Sequence, residues 1–180
     1  NKDRDFIGIV GGEIQTEVGD IIGLCMNEEI KSRTSIEVIE EIKDQGGFVV
    51  LPHPFRGHKL NQCIIELSDA IEVFNGRSTA GENVKSLELA KSYNKPFTAG
   101  SDAHFASEIG NVQMLSYIAS PEDIRQSLVY TETDIYGIEC PYYLQDISQM
   151  IKSIKTRSWK SIPKQIIGLT YRTLHRSLIN

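Results

Sequence analysis

The sequence predicts an α/β fold built on parallel strands. Three observations predict it. Strand-like and helix-like segments alternate over residues 48–118, the pattern of β–α–β units. Phe48-Val49-Val50-Leu51 is an unbroken apolar run, which fits a strand covered on both faces. Polar residues with chemical potential then fall where successive strands stop: Glu13, His53, Asn75 with Arg77, and Asp102 with His104. In parallel sheets the C-terminal strand ends line the ligand site.

Taken in order, Phe6-Ile7-Gly8-Ile9-Val10 reads as a strand that runs into Gly11-Gly12-Glu13-Ile14, and Asp20–Cys25 reads as a second. The few residues between them suit a hairpin-like pairing. Ile36, Ile39 and Ile42 recur at helical spacing after a cap at Thr34 or Ser35, with Val38 widening the face and Gly46-Gly47 ending the helix. Phe48–Leu51 ends in Pro52-His53-Pro54-Phe55. A short helix follows around residues 61–67, then a strand over Ala70–Phe74 that stops at Asn75-Gly76-Arg77. Asn83 to Tyr93 is predicted helical, with Val84, Leu87 and Ala90 on the packed face. Lys95-Pro96-Phe97-Thr98-Ala99 reads as a buried strand that opens on a proline and delivers Gly-Ser-Asp-Ala-His at 100–104. Val112–Ile118 is a further strand. Ser120-Pro121-Glu122-Asp123 is a helix start with a capping Ser, a Pro at the first position and acids in the first turn. From Pro141 onward the chain is helical in character and is split by Pro163. Residues 1–140 are therefore expected to form the main unit and residues 141–180 a helical, basic tail.

Composition bounds the classes. Of 180 residues 40% are hydrophobic and 24% charged, which is globular rather than disordered. No apolar run is long enough for a membrane span. The odd, widely spaced Cys25, Cys63 and Cys140 argue against a disulfide framework or a cysteine zinc site and suit a reducing, cytoplasmic setting. The net charge of −5 conceals a division. No acid follows Asp146, so Lys152, Lys155, Arg157, Lys160, Lys164, Arg172 and Arg176 leave the tail at +7 and the body at −12. An acidic body favours cations over long polyanions, and the tail softens that preference.

Asp102 and His104 stand two apart in extended backbone, so their side chains leave on the same side. Glu13, His53, Asp102 and His104 are the four candidate metal ligands, and they double as the candidate catalytic residues. Singly each has a bland reading: Glu13 a surface acid, His53 a packed imidazole between prolines. Together on successive strand ends they read as a site. Mixed imidazole and carboxylate ligands suit Zn, Mn or Fe rather than Ca or Mg. His58, with no strand end behind it, reads as solvated or at most facing substrate, and His175 as a surface residue.

Gly-Gly-Glu-Ile-x-Thr, Gly-Asp-Ile-Ile-Gly-Leu, Leu-Pro-His-Pro-Phe, Ile-Glu-Val-Phe-Asn-Gly-Arg and Gly-Ser-Asp-Ala-His-Phe with Glu108-Ile109-Gly110 resemble, in order and spacing, the PHP (polymerase and histidinol phosphatase) family of metal-dependent phosphoesterases. The resemblance covers about residues 5–120. It implies a distorted (β/α)7 TIM-like barrel with two or three divalent metal ions at the C-terminal strand ends. Glu13 would take the place of a bridging glutamate, His53 that of a mid-chain ligand histidine, and Asp102 and His104 that of the final Asp-x-His pair. The family opens on a His-x-His strand before the glutamate, and no histidine precedes Glu13 here. The sequence is therefore expected to be a C-terminal portion with the N-terminal strands missing, binding metal poorly as it stands. Asp20 occupies a position where many relatives carry a histidine, and an acid there can still bind metal or substrate.

The implied activity is hydrolysis of phosphate esters in a small phosphorylated substrate. Arg77 or Arg56 would hold phosphoryl oxygens through a guanidinium fork, with Asn75 beside them. The competing expectations are a non-catalytic binding or regulatory module and a nuclease on short single-stranded nucleic acid.

Overall fold

The computed structural model describes residues 8–115 and 134–157, with the isolated positions 127 and 166. Five strands form one sheet in the order β1-β2-β3-β4-β5: Gly11–Thr16, Gly19–Leu24, Phe48–Leu51, Ala70–Asn75 and Phe97–Gly100. β3, β4 and β5 are parallel, as strand–helix alternation predicted, while β2 runs antiparallel to both of its neighbours. A separate antiparallel pair joins β6 (Val112–Leu115) and β7 (Asp134–Gly137). The helices are α1 (Ser35–Asp44), α2 (Gln62–Leu67), α3 (Ala80–Ser92) and α4 (Tyr142–Lys155). No helix among the described residues is long and apolar enough to cross a membrane.

The expected TIM-like barrel is not what the described residues form. Their sheets are open, and β1 and β5 are edges with no further strand hydrogen-bonded to them. Closure needs strands enough to return the last onto the first, and five twisted strands leave the arc unfinished.

β3 is buried at all four positions, as its apolar run predicted. Val49 and Leu51 join Ile21, Val38, Ile39, Ile42, Ile64, Ile71 and Ala90 in the main core. Phe48 and Val50 turn to the opposite face with Ala70, flanked by Ile22 and Leu24. Register carries this second face to the site. Glu13 pairs with Ile22, Ile22 with Val50, and Val50 with Ala70, and laterally paired residues share a face.

Several boundaries differ from expectation. Of the strand expected over Phe6–Val10, Phe6 and Ile7 lie outside the described residues and residues 8–10 are exposed and irregular, because the ladder with β2 begins at Gly11 opposite Leu24. Glu13 consequently lies inside β1 rather than at its end. The hairpin pairing of β1 with β2 is present. α1 matches its predicted span, but Ile36 is outside the packed face at 38% exposure, and the face is carried by Val38, Ile39 and Ile42. α3 begins three residues before Asn83. Thr79 accepts from the Glu82 amide and Glu82 accepts from the Thr79 amide, a capping box. This rotates the helix so that Asn83, Ser86 and Ala90 are buried and Val84 is exposed. β6 begins at Val112 as predicted. The rest of its expected span, most of the helix expected from Ser120 and the segment around Pro163 lie outside the described residues.

Candidate metal centre

The parallel strands stop on one side of the sheet, and β2, running antiparallel, starts there. Asp20 therefore arrives beside the end of β3 although it is second in its strand. Glu13 Oε1 stands 3.2 Å from His53 Nε2, and Asp20 Oδ2 stands 3.9 Å from it. One ligand atom from each of Glu13, Asp20 and His53 lies within 4.8 Å of the other two. Two carboxylates and an imidazole so arranged are a donor set for a divalent cation.

The local backbone supports the reading. His53 has φ +27° and Asp102 φ +50°, a region that non-glycine residues seldom occupy and that collects at functional sites. His53 follows Pro52 and is buried, with its amide donating to Glu72 Oε2 at 2.8 Å. Asn75 Nδ2 donates to the same oxygen at 3.0 Å. Burial raises the Glu72 carboxyl above its ordinary pKa, against these two hydrogen bonds. Glu72 thus ties the end of β4 to the loop that presents His53. Among the described residues, the buried His53 Nδ1 has no hydrogen-bond partner.

The structure does not bring the four expected ligands into one cluster. Asp102 is paired instead with Arg56 Nη2, and Arg56 Nη1 donates to Asn75 Oδ1 at 3.1 Å. His104 Nδ1 approaches the Asp102 carbonyl at 2.9 Å, and its side chain is half exposed. Arg77 is buried. Its Nε and Nη2 fork onto Glu108 at 2.9–3.1 Å and its Nη1 donates to Ser148 at 2.8 Å. Burial opposes ionisation of Glu108. The Arg77 fork, the Cys140 thiol at 2.6 Å and the amides of His104 and Phe105 outweigh it, holding the carboxyl at about 2. The same burial and the Glu108 charge push Cys140 up to about 12. All three cysteines are free thiols, as their spacing implied.

A cleft of about 320 Å³ joins the two groups. Asp20, His53, Arg56, Arg77, Asp102 and His104 line it from the sheet, and α4 contributes Gln145, Asp146 and Gln149. A larger recess, about 600 Å³, runs along the outer edge of β1. Glu13 borders it, yet the histidines do not, so the smaller cleft is the chemical one.

Asp20, which the family resemblance allowed as a metal- or substrate-binding acid, converges with Glu13 and His53, a placement that depends on the β2–β3 register. His58 is half buried rather than solvated: its ring packs 5.3 Å from that of His53 and its Nε2 donates to the Asp20 carbonyl at 2.8 Å. Desolvation by burial lowers its pKa. A side chain at Gly19, where φ is +130°, would meet the His58 ring at 2.3 Å.

Residues 80–132 match the model of a family described as PHP-associated. An uncharacterized protein of Methanocaldococcus jannaschii is 36% identical over 115 residues, which is 57% of this chain and 48% of that protein. A Vibrio parahaemolyticus protein named probable phosphatase is 31% identical over 116 residues, 59% of this chain and 46% of its own. The chain spans less than half the length of these curated relatives. Among solved structures, a two-domain Bacteroides vulgatus protein described as containing a PHP-like metal-dependent phosphoesterase superposes with TM-score 0.58 at 19% identity, over 72% of this chain and 44% of that one. PsfC from Pseudomonas syringae superposes with TM-score 0.55 at 16% identity, over 94% and 66%. At these identities the two structures speak for the fold.

Proposed function

We propose that this chain belongs to the PHP family and carries metal- and phosphate-binding groups of a phosphoesterase that hydrolyses phosphate esters. The observation that carries the reading is the convergence of Glu13, Asp20 and His53 within 4.8 Å. The donor set fits a divalent cation: the buried His53 ring turns Nε2 toward both carboxylates. Mn, Zn and Fe suit it on ligand type.

Glu13, Asp20 and His53 would hold one cation, and Asp102 with His104 would supply ligands to a second. Bound there, the cations would polarise the phosphoryl oxygens and lower the pKa of a water. The chain's own groups do the remainder. Arg56 is the guanidinium we assign to the phosphoryl oxygens, because it already forks between Asp102 and Asn75 at the cleft and is one-third exposed. Asn75 orients that fork from its buried position. Arg77 lines the cleft while its planar group stays on Glu108, and so keeps the 100–108 loop and α4 in place. Glu72 sets the His53 backbone. Residues 1–140 act as the chemical unit and the helical segment from 141 as its border.

The test is hydrolysis of an aryl phosphate with added Mn²⁺. Replacing His53 by Ala is expected to cut kcat/KM at least about a hundredfold, the scale of losing one cluster ligand. Unchanged turnover in that variant would overturn the assignment.

A further inference from the structure

α4 borders more than one cleft. Gln145, Asp146 and Gln149 close the 320 Å³ cleft. Further along the same helix, Ser148, Ile151, Lys152 and Lys155 line an adjoining recess of about 360 Å³, and His104 belongs to both. Positions 148, 151, 152 and 155 fall at spacings that share a helix face. Phe105, leaving the loop after β5, contributes an aromatic wall.

The recess has a definite chemistry. Its lining contains two ammonium groups and no carboxylate, beside Phe105 and Ile151. Among the described residues, neither Lys152 nor Lys155 makes a side-chain hydrogen bond or ion pair. Lysines in a last turn complement the helix dipole, which accounts for their sign but not for the apolar recess they overlook. With a helical rise of roughly 1.5 Å per residue, Lys152 and Lys155 stand about 5 and 9 Å further along the axis than Gln149. The position of α4 relative to the cleft is set by two hydrogen bonds, a buried one from Arg77 to Ser148 and a partly buried one from Gln145 to the Arg77 carbonyl.

Resting on the phosphoesterase reading above, we propose that this recess is the leaving-group subsite, and that the substrate is a small phosphoester whose leaving group has an apolar body and a second anionic group. The phosphoryl end would lie among His53, Arg56, Asp102 and His104. The apolar body would lie between Phe105 and Ile151. The second anion would meet Lys152 and Lys155.

Calorimetric titration of the Mn²⁺-loaded chain with inorganic phosphate, phenyl phosphate and 4-carboxyphenyl phosphate tests this without turnover. The carboxylated ester is expected to bind about tenfold more tightly than phenyl phosphate. That ratio should fall to near one in both Lys152→Glu/Lys155→Glu and Lys152→Gln/Lys155→Gln. Equal binding of the two esters by the unaltered chain, or a ratio that survives both double variants, overturns the subsite. Phenyl phosphate binding with no carboxylate preference leaves the phosphoesterase reading standing while the subsite falls. Absence of inorganic phosphate binding removes that reading and the subsite with it.

Discussion

The fork between Arg77 and Glu108 shows how single residues hold this site in shape. Both groups are buried, at 5% and 1% exposure, and removing one partner strands the other charge away from water. Glu108 also accepts from the amides of His104 and Phe105, so its charge orders the loop that carries Asp102 and His104. Its folded pKa of about 2 lies below the ordinary 4.5. The unfolded chain therefore binds the proton more readily. The contribution is full above about pH 4.5 and disappears as pH falls through about 2, and is worth on the order of 3 kcal/mol. Denaturant unfolding of Glu108→Gln should show a lower midpoint than the parent at pH 7, with the gap narrowing as pH is taken from 5 toward 2. A pH-independent gap would mean that shape, not charge, is what the carboxylate provides. Asp20 makes the matching case at the cation. Asp20→Asn removes one of three converging ligand groups, and Mn²⁺ affinity is expected to fall by roughly tenfold to a hundredfold, measured by titration calorimetry.

Among elements, the informative ones are those that tie the site's loops together. The loop after β3 is strapped to the β1–β2 turn twice, through the Lys59 amide on the Val18 carbonyl at 2.7 Å and through His58 on Asp20. Gly19 leaves room for that imidazole. Two elements that contribute different ligands are thus held as one piece. α3 illustrates a signal that sat in the sequence in plain form. Thr79-x-x-Glu82 is a capping-box pattern, and it starts the helix ahead of the apolar spacing from which residues 83–93 were assigned. Thr79→Ala should cost about 1 kcal/mol and lower Tm by about 2–4 °C for a chain of this length, read from thermal melting. β7 offered no comparable signal. It is a four-residue strand whose pairing with β6 spans a long stretch of chain.

At the largest scale, the described residues form an open mixed five-stranded sheet with a two-sided central strand, beside the separate β6–β7 pair. Ile71 is fully buried in the larger core, where truncation leaves a cavity. Ile71→Ala should destabilise by about 2–5 kcal/mol, seen as a drop in the denaturant midpoint with little change in slope. A cost below about 1 kcal/mol would mean that the core collapses around the gap. The same layering explains the site's asymmetry. The Glu13 face of the sheet carries the smaller apolar cluster, Phe48, Val50 and Ala70 flanked by Ile22 and Leu24, with the buried carboxyl of Glu72 toward the end that bears the site.

By itself the sequence determined the strand and helix order between residues 35 and 100, the burial of β3 on both faces, and the gathering of His53, Asn75, Arg77, Asp102 and His104 at one end of the parallel strands. Those properties follow from periodicity and from where apolar runs stop, which are local. Tertiary structure alone decided that Asp20 joins Glu13 and His53, that Asp102 rests on Arg56, and that Arg77 is occupied by Glu108. It also decided that the described strands remain an open sheet. Each of these depends on antiparallel register, lateral pairing or a contact between residues far apart in the chain, and side-chain partners at that range are set by packing, not by neighbours in the sequence.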